Sequence, residues 1–282
     1  LGARLNPLCD DIEQVIYLKA QANRIANLII TSNLSSWETF IAYRYCWIPS
    51  VTYLLPTTTM TDADLHSIQT QATGSFLLKM GFNRKYPRVV CFGPLEFGGL
   101  TFRDLFTEQG ALRIKALMEH IYHDTETGQM IMIAIQSLQM EAGTSAHILT
   151  DPTPLLVYIE PCWISAIRDF MATNQLSLEF TNSWNFRIAR DHDVFLMDVF
   201  RLSGRWCDSD LRALNAVRLH LQVATLSDVC TADGRSFDQQ AFQATPSTTR
   251  TSPLLWSRQP GITDFQRNLW QEALTTHSAR QT

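Results

Sequence analysis

The chain carries almost none of the short motifs that announce an enzyme. It has no GxGxxG, no GxxxxGK[ST] phosphate loop and no GxSxG elbow, so the sequence gives no support to nucleotide hydrolysis or serine-hydrolase chemistry. Its cysteines (Cys9, Cys46, Cys91, Cys162, Cys207 and Cys230) are scattered and never form a CxxC pair, which argues against a zinc knuckle or a thioredoxin-type site. Scattered thiols of this kind read as reduced residues of an intracellular protein, nuclear or cytoplasmic. No apolar run approaches 18 residues and no signal peptide is visible, so no membrane span and no membrane partner is expected. Charge is scarce at 18% and the net charge is −4, which excludes a protein coated in basic charge. Lysine is rarer still: 4 Lys stand against 19 Arg. The chain opens on Leu1 rather than Met, as a fragment or processed product would.

What is present is helical periodicity. With 45% apolar residues, 282 positions suffice for one large domain or two ordinary ones. Apolar residues recur every three or four positions from Asp10 to Thr31, with Asp10 or Asp11 as the expected cap. Ser35-x-x-Glu38 is a capping box for a second helix through Trp37, Phe40 and Trp47, which Pro49 should kink or end. Thr61-x-x-Asp64 opens a third helix. Segments 103–122 and 125–142 read as two more, with Gly143 as a C-cap. Short strands are expected at 88–92 and 100–102, around a Gly-Pro and a Gly-Gly turn, and another at 177–180. The predicted fold class is mainly α: a helical module over 1–143, a linker at 144–154, and a second mostly helical module over 155–244. In that second module helices are expected from Pro161 to about Met171, at 193–202 and at 208–223. A Ser/Thr/Pro-rich tether and a terminal amphipathic helix then fill 245–282.

Three constellations could carry chemistry, and each has a plainer explanation. Leu8-Cys9-Asp10-Asp11 holds the adjacent carboxylates with which polymerases align two Mg²⁺ ions, but Leu8 replaces the aromatic of that turn and helix follows where a strand is needed. His120-x-x-His123-Asp124 puts two imidazoles on one helix face, without identifiable third and fourth ligands. Built as a metal site, it would suit a metal-dependent nuclease. Asp191-His192-Asp193 could orient an imidazole, but no nucleophile is paired with it. No catalytic residue and no metal ligand is assigned.

The most informative stretch is Lys79 to Leu100. Lys79, Arg84, Lys85 and Arg88 fall within ten residues with no acid among them, and Phe82 and Tyr86 are interleaved. Clustered cations beside aromatics suit a phosphate backbone with stackable bases. On residue types alone, the same stretch is equally a solvated loop on a helical protein-interaction module that binds no nucleic acid.

The order of elements around this stretch resembles the region that follows the catalytic palm in reverse transcriptases of non-LTR retrotransposons. The resemblance rests on Leu1-Gly2, Ser35-Ser36-Trp37, Pro49-x-x-x-Tyr53, the basic loop, and Gly98-Gly99-Leu100. Longer stretches are similar to retrotransposon-like open reading frames of diatoms and other protists, among them Leu54-Leu55-Pro56, Lys79 to Arg84, Gly93 to Leu100, Thr107 to Gly110 and Leu219 to Asp228. The similarity is strongest over 1–120 and loose beyond 150. In that family the corresponding block is the thumb and its connection, which packs against the primer–template duplex.

The resemblance implies a non-catalytic C-terminal piece of an RNA-directed DNA polymerase, because the family's Asp pair lies upstream of its Leu-Gly. Any Mg²⁺ would belong to the palm, so no cofactor is expected here. Lys79, Arg84, Lys85, Tyr86 and Arg88 would contact RNA or an RNA–DNA duplex, with the upstream palm and fingers as domain partners. Ala3 departs from the usual Val or Ile, and the zinc knuckle that ends some relatives is missing.

Overall fold

Capping sets where the helices begin. In the computed structural model of the chain, which describes residues 11–180, 190–246 and 261–278, α1 spans Ile12–Thr31, α2 Ser36–Ala42, α3 Ile48–Thr52 and α4 Asp62–Lys79. Ser35 and Glu38 form the expected reciprocal capping box before α2, and Thr61 and Asp64 form another before α4. Asp11 is the N-cap residue of α1 but does not cap with its side chain. Its carboxylate instead accepts hydrogen bonds from the Thr59 backbone N–H (2.6 Å) and hydroxyl (2.8 Å). The described chain continues through α5 (Arg88–Phe92), α6 (Leu105–Tyr122), α7 (Glu126–Ala142), α8 (Trp163–Thr173), α9 (Leu196–Leu202), α10 (Asp208–Leu221), α11 (Gln239–Phe242) and α12 (Asp264–Ser278). The architecture is mainly α. No described helix is long and apolar enough to cross a membrane.

Pro49 does not end its helix. Residues Tyr43–Trp47 widen into a π-helical turn in which the Ile48 N–H reaches back to the Tyr43 carbonyl. An interior proline removes one donor and crowds the carbonyl four residues earlier; an inserted residue relieves both, so α3 follows α2 with Pro49 in its first turn.

The expected strand at 88–92 is a helix. Pro87 supplies a fixed φ at its start, and its carbonyl accepts from both Val90 and Cys91 N–H groups. Residues 100–102, expected as a strand, pair with none, and Thr101 between them takes a left-handed φ of +53°. Leu100 and Phe102 donate to the Val90 and Cys91 carbonyls, which the end of a short helix leaves open. The segment 177–180 is likewise no strand: Leu178 donates once, to Leu149. Among the described residues the only β pairings are isolated bridges, Phe195 with Thr225 and Cys230 with Phe237.

The chain divides into two compact units, Leu1–Gly128 with Pro161–Phe170 and Gln129–Glu160 with Met171–Thr282. The division therefore differs from a simple cut after 143. Trp163 donates its indole N–H to the Pro56 carbonyl at 2.7 Å, and the Phe170 ring meets Phe106 edge-on at 5.7 Å, which ties 161–170 to the first unit. Residues 144–154, expected as a linker, make hydrogen bonds with the end of α7. Gln139 donates to the Thr144 and Ala146 carbonyls and accepts from Ile148, and Ile148 and Leu149 are buried.

In the first unit, α1 and α4 pack through Leu18, Ala22, Ala26 and Ile29 against Leu65, Ile68, Ala72 and Phe76. The alanines let the two backbones approach. Trp47 is buried in this core and donates its indole N–H to the Ala22 carbonyl at 3.0 Å. The second unit gathers Leu196, Phe200, Leu214, Val217 and Leu274 around Trp270, whose indole N–H donates to Ala241 at 2.9 Å. Leu1-Gly2 and most of the Ser/Thr/Pro-rich tether (247–260) lie outside the described residues.

Candidate nucleic-acid interface

The cations between 79 and 88 have different environments. Lys79 ends α4, and its ammonium donates to the Ile30 carbonyl (2.9 Å) and to the Ser32 carbonyl. These are the open carbonyls at the C-terminus of α1, where a cation is favoured by the helix dipole. Lys79 thus ties two helices together through two of its ammonium's hydrogen bonds. Arg84 is exposed, and its stem lies over α4 where residue 74 is glycine: a Cβ there would come within 3.1 Å of Arg84 Cγ and Nε. Lys85 is exposed on the turn that Asn83 shapes by accepting the Lys85 N–H at 2.8 Å. Arg88 is half-buried beside Cys91. Burial pushes that thiol's pKa up, and the guanidinium opposes the shift.

The aromatics of the stretch differ in exposure. Phe82 and Tyr86 pack on each other at 5.3 Å, tilted by 49°, and are partly buried against the core of the first unit. The exposed aromatic is Phe97, 85% accessible, accompanied by Val89 (85%) and Leu95 (74%). A closed loop holds it out. Phe97 and Gly99 both donate to the Pro94 carbonyl, Gly98 to Leu95, and Thr101 to Gly93. Gly98 takes φ +77°, and a Cβ on Gly99 would overlap the Gly93 carbonyl, so the Gly-Gly pair is a steric requirement of the loop. An aromatic isolated between two glycine turns, outside any helical period, is the sequence signal that would have singled out Phe97.

Aromatic packing lies at the end of the segment that follows the loop. Tyr43 stacks on Phe102 at 4.3 Å and on Trp47 at 5.6 Å, and its hydroxyl accepts the Arg103 N–H at 3.0 Å. Burial raises the Tyr43 phenol well above its ordinary pKa, which keeps it neutral. Arg113, 3% exposed, donates through Nε and Nη2 to the Thr58 carbonyl; burial draws it down to about 10. Both groups are structural.

The other candidate chemistries are taken up locally. His120 Nδ1 sits 3.0 Å from the Thr125 hydroxyl, and Thr125 in turn caps α7 by accepting the Gly128 N–H. Asp193 accepts the Val194 and Ser227 N–H groups, while Asp191 and His192 are exposed. Among the described residues no group of three or more His, Cys, Asp or Glu side chains is arranged to hold a metal ion. Comparison with protein-family models, with curated proteins and with solved structures gave no match to this chain.

Proposed function

We propose that the chain is a non-catalytic segment of a reverse-transcriptase-like retroelement protein, and that its first unit holds nucleic acid along Arg84, Lys85 and Arg88. The observation that carries this reading is the exposure of Arg84 and Lys85 within an acid-free stretch: no Asp or Glu occurs from residue 65 to residue 95, in a chain whose net charge is −4. A local cationic edge on an acidic background attracts phosphate at that edge alone. RNA or an RNA–DNA duplex is the ligand class the resemblance implies.

The rival reading, a helical module that binds protein, draws on the exposed Trp37, Tyr45 and Tyr53 of the α2–α3 region. One experiment separates the two. The triple variant Arg84→Ala/Lys85→Ala/Arg88→Ala is expected to weaken binding to an RNA–DNA duplex and to flatten its salt dependence. Lys79→Met serves as the control. It is expected to keep the affinity and the salt slope but to lower the unfolding midpoint, because two backbone carbonyls lose a charged donor worth about 1.5–3 kcal/mol. Equal affinity and slope in the wild-type chain and the triple variant would favour the protein-binding module.

A further inference from the structure

The nucleic-acid reading leaves open which form of nucleic acid the edge recognises, and the loop from Gly93 to Gly99 bears on that question. Phe97 and Leu95 are exposed on a short 3₁₀ turn, Leu95–Phe97. The turn is closed by hydrogen bonds from Phe97 and Gly99 to Pro94 and from Gly98 to Leu95, and it is anchored by Thr101 donating to Gly93. Three residues per turn place successive side chains about 120° apart, so Glu96, the one acid of the loop, projects away from both apolar neighbours. A large ring held in water by a closed backbone needs little further ordering when it engages a ligand. What an aromatic face offers a nucleic acid is a platform for a base, and a base is free to stack only where it is unpaired. The cations that precede it in the same stretch, with no acid between residues 65 and 95, complement the phosphates that flank such a base.

We propose that Phe97 is a stacking platform for an unpaired base, so that this edge recognises single-stranded nucleic acid, or a single strand emerging from a duplex, in preference to continuous duplex. The inference rests on the nucleic-acid reading above. Its test uses the full chain and three probes measured by fluorescence anisotropy: a single-stranded oligonucleotide, a blunt RNA–DNA duplex, and the same duplex with a single-stranded overhang. The wild-type chain is expected to bind the single strand and the overhang probe more tightly than the blunt duplex. Phe97→Ala should lose about tenfold on both unpaired probes and stay unchanged on the blunt one. Phe97→Trp should restore binding. Because Phe97 is exposed, these variants should keep the wild-type circular dichroism. Equal affinity of Phe97→Ala and wild type for every probe, or a wild-type preference for the blunt duplex, would overturn the stacking platform; a weakened triple cation variant would then still uphold the nucleic-acid reading. Failure of the wild-type chain to bind any probe would overturn both.

Discussion

Arg218→Ala is expected to lower the stability of the second unit by about 4 kcal/mol. Arg218 is wholly buried and works as a hub for backbone groups. Its Nη2 donates to the Met140 and Glu141 carbonyls at 2.8 and 2.6 Å, the open end of α7; Nη1 donates to Val223, and Nε to the Asn215 amide oxygen. The guanidinium lies against Gly143, whose φ of +58° ends α7 and whose missing Cβ leaves room for it. Burial draws Arg218 down to about 10, still far above neutrality, so it stays charged and every one of these donors is present. A buried ion pair can sometimes be exchanged for packed apolar groups, but backbone carbonyls cannot be mutated away. Truncation therefore leaves several acceptors unpaired in addition to a cavity. With a urea slope of about 2 kcal/mol/M, the midpoint of the second unit should fall by about 2 M. An unmoved midpoint would mean that these carbonyls find other donors.

Gly99→Ala should be the most damaging change in the candidate interface. The new methyl group would overlap the Gly93 carbonyl, which is backbone and cannot swing aside. Overpacking of this kind costs about 2–3 kcal/mol. Opening of the loop would also release the Gly99 and Thr101 hydrogen bonds and let Phe97 turn toward apolar cover. Two losses should therefore coincide in one variant: a lower unfolding midpoint for the first unit and weaker binding to a single-stranded probe. Circular dichroism in urea and anisotropy read them separately. Wild-type binding in a destabilised Gly99→Ala protein would detach the loop from recognition.

Much of the helical frame was legible in the sequence. Ser35-x-x-Glu38 and Thr61-x-x-Asp64 state their capping chemistry in residue types, and the three- and four-residue spacing along α1 states which face is buried. Where a sequence signal was local but its partner was distant, the expectation failed. Of the two expected caps of α1, Asp11 does stand at the N-cap position, but Thr59, brought near by the fold, takes the carboxylate that would have capped; Asp10 lies outside the described residues. Arg88 to Phe92 is rich in β-formers, yet its carbonyls are satisfied by residues 100–102 rather than by a strand. Pro49 reads as a kink or a stop, and the extra residue of the π turn that absorbs it has no mark in the sequence.

The candidate interface divides in the same way. The acid-free basic stretch is visible in one line of sequence, and so are Arg84 and Lys85 as exposed turn residues. That Lys79 would reach the end of α1, and that Phe82 and Tyr86 would be partly buried while Phe97 stays in water, depends on helix positions fixed by the core. The sequence shows which groups are near each other along the chain; which of them face solvent is decided by tertiary packing.

The central claim is that the edge at Arg84, Lys85 and Arg88 binds phosphate. The most direct measurement is the affinity of the wild-type chain for an RNA–DNA duplex with a single-stranded overhang, followed from low to moderate salt. Two to three neutralised phosphates predict that log Kd rises against log salt with a slope of about 2. No binding at low salt, or binding whose affinity is indifferent to salt, would contradict the account.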